Sequence, residues 1–262
     1  MKICRFINNL EDHPQFGFLQ GDSVVSLGTN NLFAFETSSK NPGDFGRERF
    51  ALDAIKLLPP TTPSKIVCVG RNYADHAREL GNQVPPEPLL FLKAPSSLVA
   101  DGDPIIIPAQ SKMVEHEGEL AVVIKRIAKN IDAAENPLDY VLGYCCLNDV
   151  TARDLQRQDV QFTRAKSFDT FCPIGNFIET ELDPQDLSIA VMVNDQIRQH
   201  GQTAQMVFSV AFLIRYISLQ MTLLPGDIIA TGTPAGVSQL NPGDVCKVEI
   251  SNIGTLSNPV QN

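Results

Sequence analysis

The sequence predicts an α+β fold built around a large sheet, and three observations support this prediction. Short apolar runs of strand length recur along the 262 residues, bounded by glycine, proline, asparagine and aspartate turn signals. Only two segments stand out with helical spacing, residues 154–158 and residues 206–219. Hydrophobic residues make up 43% of the chain and charged residues 19%, a composition typical of a folded globular protein.

The first part of the chain is predicted to be a small β-rich region. Its short apolar stretches, such as residues 23–27, are separated by turn residues. A proline-rich segment follows at residues 57–63, and proline continues neither a helix nor a central strand. We therefore expect a small N-terminal region at residues 1–60 and a main domain at residues 61–262.

Charge and composition argue against several classes of partner. The net charge is -9, and lysine and arginine form no basic run, so a nucleic-acid-binding surface is not expected. The longest apolar stretch, residues 206–221, is interrupted by Arg215 and is too short to span a bilayer. No signal or transit peptide is apparent, and we expect a cytoplasmic protein that binds neither nucleic acid nor membrane.

The six cysteines include no C-x-x-C pair, so neither a zinc ribbon nor a disulfide framework is indicated. They are predicted to be small core residues. The chain also lacks the G-x-S-x-G, G-x-x-x-x-G-K and G-x-G-x-x-G segments. Serine hydrolase, nucleotide-binding and dinucleotide-binding functions are therefore disfavoured, and no organic cofactor is expected.

Glu117 and Glu119 stand two residues apart at the start of the apolar run 120–124. In a strand, both side chains point to the same face, where two carboxylates repel each other. A shared cation is the simplest reason to hold them there, and an acidic, solvated strand end is the rival interpretation. His116 has the opposite parity, so an all-oxygen site is expected, which suits Mg²⁺, Mn²⁺ or Ca²⁺.

Asp149 is the candidate for a third carboxylate, because it follows the apolar run 141–147 and precedes a helical segment. The same aspartate is equally suited to capping that helix. Arg153 and Gln156 share one side of the helical turn and are placed to face a common ligand. A salt bridge is the alternative interpretation for Arg153.

His76 and Glu79 have the i, i+3 spacing that brings two side chains together on a helix. A carboxylate bonded to one ring nitrogen fixes the histidine tautomer and raises the basicity of the other nitrogen. This is the arrangement that water activation requires. Surface pairs of this type are common, so the spacing by itself is weak evidence.

Taken together and in this order, these segments resemble the fumarylacetoacetate hydrolase superfamily, from about residue 65 to residue 260. The motifs that carry the resemblance are VGRNYADH at 69–76, EHEGEL at 115–120, GY at 143–144, NDVTARDLQ at 148–156, AKSFDT at 165–170, GD at 226–227 and TGTPAGV at 231–237. The short chain and the GRNYADH and KSFDT segments look most like the small acylpyruvase and oxaloacetate decarboxylase branch.

The resemblance implies a role for each candidate residue. Three acids would bind Mg²⁺ or Mn²⁺: Glu117, Glu119 and Asp149. Three residues would be catalytic: His76, Glu79 and Lys166. Four would contact the substrate: Arg71, Arg153, Gln156 and Thr233. Glu115 would be a nearby acid that is not a ligand.

The resemblance also implies a homodimer, a large mixed β-sheet roll with few helices, and a lid formed by the segment of His76. The implied reaction is Mg²⁺- or Mn²⁺-dependent cleavage of a C–C bond in small 2-oxo acids through a metal-stabilised pyruvate enolate. It would be acylpyruvate hydrolysis, oxaloacetate decarboxylation or both. The alternatives are a fumarylpyruvate-type hydrolase, an isomerase of the 2-hydroxyhepta-2,4-diene-1,7-dioate type, and a non-catalytic metal-dependent binding protein.

Overall fold

Strands dominate the structure, a computed structural model that describes residues 1–8, 13–32 and 48–262. These residues form twenty strands: β1 Lys2–Asn8, β2 Gln15–Gln20, β3 Ser23–Ser26, β4 Arg49–Ala51, β5 Ile55–Leu58, β6 Ile66–Gly70, β7 Leu89–Lys93, β8 Leu98–Val99, β9 Ile105–Ile106, β10 Val114–Glu115, β11 Gly118–Ile124, β12 Val141–Asn148, β13 Thr151–Ala152, β14 Cys172–Pro173, β15 Phe177–Glu179, β16 Ser188–Val193, β17 Gln196–Gln202, β18 Ile228–Ala230, β19 Val245–Ile250 and β20 Gly254–Gln261. They also form four α-helices: α1 Ala74–Glu79, α2 Arg153–Gln158, α3 Thr163–Lys166 and α4 Val210–Gln220. Single 3-10 turns cover Leu52–Ala54, Pro95–Ser97, Pro137–Tyr140 and Thr203–Gln205. The predicted α+β fold class is confirmed.

An eleven-stranded mixed sheet forms the centre of the molecule. Its strands lie in the order β4-β3-β2-β1-β15-β12-β11-β18-β6-β7, and β5 also pairs with β1. The β18–β6 pair is parallel, whereas the other neighbours are antiparallel. Because β1 pairs with β15, the N-terminal strands continue the sheet of the main domain. The domain boundary at residue 60 stays a prediction.

Strand β11 is buried on both faces because each face packs on a separate apolar core. Leu120 and Val122 face the core shared with a second, five-stranded sheet of order β17-β16-β19-β20-β9, and Ala121 faces the other core. Gly118 allows the second sheet to approach, since a Cβ there would lie 2.3 Å from Cγ2 of Val191. The β11 face that carries Ala121 also carries the two acids at the start of the strand.

The pairing register brings several segment ends to one edge of the large sheet. Gly118 of β11 lies opposite Asn148 of β12, so Asp149 follows directly beside Glu117. On the other side of β11, strand β18 runs parallel to β6, and parallel strands end at the same edge. The segments after β18 and β6, which contain Thr233 and Arg71, therefore reach the edge that carries the acids.

The predicted helices are confirmed in part. The helix predicted at residues 154–158 is present as α2. The helix predicted at residues 206–219 is present as α4, but its predicted start was wrong, because α4 begins at Val210. Ser209 caps α4, since its Oγ accepts a hydrogen bond from the Phe212 amide at 3.3 Å. Across the described ranges, no helix combines the length and apolarity needed to cross a membrane.

All six cysteines are buried free thiols, which confirms their prediction as core residues. Burial raises the pKa of four of them to about 12: Cys4, Cys146, Cys172 and Cys246. A thiol of that pKa stays protonated at neutral pH and is a poor nucleophile. The cysteines therefore contribute packing and no chemistry.

Asp227 fixes the turn that leads into β18. Its buried Oδ1 accepts hydrogen bonds from the Ser64 amide at 2.9 Å, the Ser64 hydroxyl at 2.7 Å and the Lys65 amide at 3.1 Å. Its Oδ2 accepts from the Leu224 amide at 2.7 Å and forms an ion pair with Lys65. One carboxylate thus joins the start of β6 to the start of β18.

We expect Asp227→Ala to lower the free energy of unfolding by about 2 to 4 kcal/mol, because it leaves three backbone amides without their acceptor. Chemical denaturation measures this change. Asp75→Ala is the matched control, since Asp75 is 70% exposed and pairs with Arg78 at the surface. The control should cost less than about 1 kcal/mol, and equal losses for the two variants would contradict the role given to Asp227.

Candidate active site

Three buried carboxylates converge at the sheet edge, on Glu117, Glu119 and Asp149. Their exposed fractions are 5%, 2% and 1%, and one oxygen of each lies within 4.8 Å of the others. The Asp149 amide donates to the Glu117 carbonyl at 2.8 Å, which holds the third acid beside the first. This burial rules out a solvated strand end, and α2 begins without a side-chain cap, so Asp149 is not its N-cap. The structure thus brings together the three predicted ligands.

Two buried lysines hold these acids in place. Lys166 Nζ donates to Glu117 Oε2 at 2.8 Å and to Asp149 Oδ2 at 2.7 Å. Lys93 Nζ donates to Asp149 Oδ1 at 2.6 Å and to the carbonyl of Val150 at 3.2 Å. Both oxygens of Asp149 therefore accept a charge-assisted hydrogen bond.

The sequence analysis missed Lys93. The signal that was available in the sequence is its position directly after the apolar run 89–92. In the structure Lys93 ends strand β7 and is 1% exposed. A lysine is almost never buried without a partner, so a lysine closing an apolar strand indicates a buried carboxylate nearby.

Arg153 is bonded at each of its three guanidinium nitrogens. Nε donates to Glu115 Oε2 at 2.6 Å, Nη1 donates to Gln156 Oε1 at 2.5 Å, and Nη2 donates to Glu117 Oε1. The side chain is 2% exposed, so the salt bridge considered from the sequence is a buried one. Arg153 orients Glu117, and its predicted contact with the substrate stays a prediction.

Glu117, just before β11, and Glu119, within it, differ in electrostatic environment. Burial favours a raised pKa for Glu117, but Lys166 and Arg153 outweigh burial and hold that pKa well below its usual range. Burial, together with the nearby charges of Asp149 and Glu117, raises the pKa of Glu119 well above its usual range. Glu119 has one hydrogen bond from the described residues, from the Gly232 amide to Oε2 at 2.7 Å.

A divalent cation fits this set of charges. When all four buried acids, Glu115, Glu117, Glu119 and Asp149, are ionised, they face three buried cations, which leaves an excess of one negative charge. The three buried cations are Lys93, Arg153 and Lys166. The unbalanced carboxylate is Glu119, and a cation is the group that stabilises a buried carboxylate. The all-oxygen donor set is the one preferred by Mg²⁺, Mn²⁺ and Ca²⁺.

His116 points away from the three acids, as its parity predicts. Its Nδ1 lies 3.0 Å from Gln199 Oε1 and its Nε2 lies 2.8 Å from the Ser238 hydroxyl. Burial lowers the pKa of His116 to about 4, so the ring is neutral at neutral pH. His116 is part of the packing behind the site.

Gln199 links the second sheet to the site, a role the sequence analysis did not assign. Its Nε2 donates to Thr233 Oγ1 at 2.8 Å, and that hydroxyl donates to the Gly118 carbonyl at 2.8 Å. The Gly118 amide donates back to Gln199 Oε1 at 3.0 Å. Gln199 therefore fixes Thr233 and the peptide unit between the two glutamates.

His76 and Glu79 meet on α1, as their spacing predicts. Nδ1 of His76 lies 3.3 Å from Glu79 Oε2, and both Glu79 oxygens accept from the Gly236 amide, at 3.0 and 3.1 Å. His76 is 5% exposed. With Nδ1 facing Glu79, Nε2 is the ring nitrogen left for water or substrate.

One cavity of about 280 Å³ connects these groups. Nine of the ten predicted site residues line it, and the tenth, Glu79, stands behind His76. Phe91 and Phe162 form an apolar wall, with ring centroids 5.5 Å apart in an edge-to-face arrangement. Lys166 Nζ lies 5.2 Å from the centre of the Phe91 ring. The cavity is therefore polar at the acids and apolar along one side.

Comparisons with known proteins point to one family. The family model for the fumarylacetoacetate (FAA) hydrolase C-terminal domain matches residues 65–261, and the model for the Rv2993c-like N-terminal domain matches residues 1–60. Mitochondrial oxaloacetate decarboxylase of Dictyostelium discoideum is 46% identical over 74% of this chain and 92% of the relative. Mitochondrial oxaloacetate tautomerase fahd2 of Xenopus laevis is 42% identical over 85% of this chain and 74% of the relative.

Solved structures lead to the same family. A crystal structure of 5-carboxymethyl-2-hydroxymuconate delta-isomerase from Mycobacterium smegmatis matches with a TM-score of 0.88 and 38% sequence identity. The match covers 100% of this chain and 99% of that chain. The likeness in fold therefore extends over the N-terminal region as well as the site.

We expect Glu119→Gln to weaken Mg²⁺ and Mn²⁺ binding by roughly 100-fold or more, because it removes the carboxylate that no buried cation balances. Isothermal titration calorimetry measures the affinity. The metal should also raise the melting temperature of the wild-type protein but not of the variant. Glu249→Gln removes the same charge from an exposed position and is the control. Unchanged affinity in Glu119→Gln would place the metal elsewhere.

Proposed function

Because this chain belongs to the fumarylacetoacetate hydrolase family, in the branch of the oxaloacetate decarboxylase and tautomerase relatives, we propose that it cleaves a C–C bond in small 2-oxo acids. The proposed reactions are acylpyruvate hydrolysis and oxaloacetate decarboxylation, with Mg²⁺ or Mn²⁺ as cofactor. The observation that carries the proposal is the single cavity in which three carboxylates, a buried lysine and a histidine–glutamate pair meet. A cytoplasmic homodimer stays a prediction.

The acids and Lys166 have separate roles in this proposal. A divalent ion held by Glu117, Glu119 and Asp149 would supply Lewis-acid polarisation of the 2-oxo group. Burial favours a lowered pKa for Lys166, but Asp149 and Glu117 outweigh burial and raise it, so its ammonium is retained. A protonated Lys166 serves as a fixed positive charge for developing negative charge, and not as a base.

His76 is the proposed general base for hydrolysis. Glu79 holds Nδ1, so Nε2 takes a proton from the water that attacks the 4-carbonyl of an acylpyruvate. The C3–C4 bond then breaks to give pyruvate and a carboxylic acid. Oxaloacetate loses CO₂ without attack by water, so that reaction needs no base at this position.

An isomerase is the second candidate, and the likeness to 5-carboxymethyl-2-hydroxymuconate delta-isomerase favours it. Such an enzyme would move a proton between carbons without breaking a C–C bond. His76 would then exchange that proton with the substrate. A fumarylpyruvate-type hydrolase would use the same groups as the first proposal and differ in the acyl group it accepts.

Product analysis separates these candidates. We expect NMR to show pyruvate from oxaloacetate, acetylpyruvate or fumarylpyruvate when Mg²⁺ or Mn²⁺ is present, and no product after chelation. An isomer of the substrate in place of pyruvate would favour the isomerase. Absence of any conversion of these 2-oxo acids, with either metal, would overturn the proposal in favour of a non-catalytic binding protein.

We expect His76→Ala to lower kcat for acetylpyruvate hydrolysis by roughly 10²- to 10⁴-fold, the range typical of a lost general base. Oxaloacetate decarboxylation should lose much less, because that reaction needs no activated water. Steady-state kinetics on both substrates measures the difference. Glu79→Gln should give a smaller loss in the same direction, and equal losses for both substrates would refute the role of His76.

A further inference from the structure

A buried hydroxyl beside the site, Oη of Tyr73, has no hydrogen-bond partner among the described residues. The side chain of Tyr73 is 3% exposed. A buried hydroxyl without a partner is destabilising, and the few that occur in native proteins commonly mark a bound ion or a functional role. Tyr73 is therefore a candidate for a contact that forms when a ligand is bound.

The residue before it in the sequence places Tyr73 near Glu119. Nδ2 of Asn72 donates to the Thr231 carbonyl at 2.7 Å, and a Cβ on Gly232 would lie 2.7 Å from the Cβ of Asn72. The amide of the same glycine donates to Glu119 Oε2 at 2.7 Å. Asn72 and Glu119 therefore both contact Gly232, and Tyr73 directly follows Asn72.

The electrostatic environment of Tyr73 indicates the same neighbour. Burial, and after it the negative charge of Glu119, raise the pKa of Tyr73 well above its usual range. The hydroxyl therefore keeps its proton at neutral pH and is able to donate it to a hydrogen bond. Glu119 accepts one hydrogen bond from the described residues, although a carboxylate has about four acceptor positions. A donor without a partner thus lies near a carboxylate that has acceptor positions to spare.

The backbone of Tyr73 is fixed, so its hydroxyl is pre-organised. Tyr73 pairs with Met206 in an antiparallel bridge, and its carbonyl accepts a hydrogen bond from the Ala77 amide at 3.0 Å. Little conformational entropy is then lost when the hydroxyl forms a bond. Tyr73 is not one of the residues that line the cavity, whereas Glu119 is, so Tyr73 is placed to act on the carboxylate and not on the substrate.

A neutral donor suits Glu119 better than a cation would. Lys93, Lys166 and Arg153 bond the other three buried acids of the site and offset their charge. A further lysine or arginine at Glu119 would repel a divalent ion. A hydroxyl orients the carboxylate and leaves its full negative charge for the metal.

We propose that Tyr73 positions Glu119 for the divalent ion, by donating a hydrogen bond from its hydroxyl to the Glu119 carboxylate when the ion is bound. Groups that bind a metal are commonly held by such outer hydrogen bonds, which fix their orientation. The proposal rests on the metal that is part of the proposed function. It does not depend on which bond of the substrate is broken.

Metal affinity tests this role. Tyr73→Phe removes the hydroxyl and keeps the ring, and we expect it to weaken Mg²⁺ and Mn²⁺ binding roughly 10- to 100-fold, the range typical of a lost outer partner. Tyr144→Phe is the matched control, because Tyr144 is also 3% exposed and the charge near its hydroxyl is that of Asp183. Isothermal titration calorimetry measures the affinities. Equal affinity in the wild-type protein and in Tyr73→Phe would overturn the proposal.

Thermal melting distinguishes this role from a structural one. Without metal, Tyr73→Phe should melt at the wild-type temperature or above it, because the change removes a buried hydroxyl that no described residue bonds. At one Mg²⁺ concentration, the melting temperature should rise less in the variant than in the wild-type protein. A variant that melts earlier without metal, yet gains as much from Mg²⁺ as the wild type, would make the hydroxyl a packing group and refute the proposal.

Tyrosine absorption gives a direct readout of the new bond. The chain contains four tyrosines and no tryptophan, so tyrosine dominates its near-ultraviolet spectrum. A phenol that donates to a carboxylate absorbs at longer wavelength. We expect Mg²⁺ to shift the tyrosine band in the wild-type protein and in Tyr144→Phe, but not in Tyr73→Phe. A shift that persists in Tyr73→Phe, or no shift in wild-type protein that binds Mg²⁺, would count against the bond.

The outcomes separate this proposal from the proposed reaction. Metal binding that depends on Tyr73, in a protein that converts none of the 2-oxo acids, would support the role of Tyr73 and overturn the reaction. Turnover of a 2-oxo acid, with a metal affinity that Tyr73→Phe leaves unchanged, would do the reverse. Absence of Mg²⁺ and Mn²⁺ binding in the wild-type protein would overturn both.

Discussion

The burial of four carboxylates at one edge of a sheet is the constraint on which the rest of the site depends. Like charges that are removed from water repel each other strongly unless cations are placed against them. Here β7, α2 and α3 each deliver one buried cation to the acids: Lys93, Arg153 and Lys166. These three elements therefore meet at the acids, and Glu119 is the position where the charge balance is left open for a cation.

The two faces of β11 have different roles, one in the chemistry of the site and the other in packing. One face carries the acids, and the other carries Gly118, whose missing side chain lets the second sheet come close. Gln199 of that sheet accepts a hydrogen bond from the Gly118 amide and donates one to the Thr233 hydroxyl, which in turn donates to the Gly118 carbonyl. The five-stranded sheet therefore fixes the geometry of the site without contributing a charged group to it.

The sequence predicts the local parts of this site and misses those that depend on distant pairing. Alternation along a strand is enough to place Glu117 with Glu119 and to turn His116 away. Lys93 lies 56 residues from the aspartate it bonds and Gln199 lies 34 residues from Thr233, so no local pattern identifies the partner of either residue. The start of α4 was misplaced for a related reason. The apolar periodicity extends over residues 206–209, but the amides of Val207 and Phe208 donate hydrogen bonds to Asn72, which is distant in sequence, and not to a helical turn.

Arg71 and Arg153 show why residue type alone does not assign a role. Both line the cavity, and both were expected to contact the substrate. The guanidinium of Arg153 is bonded at each of its three nitrogens, so it orients Glu117 and has fewer donors left for a ligand. In the described residues no acid pairs with Arg71, so its donors are available to an anion that enters the cavity. The contacts that each guanidinium makes within the protein, and not its residue type, therefore decide which arginine is free to meet a ligand.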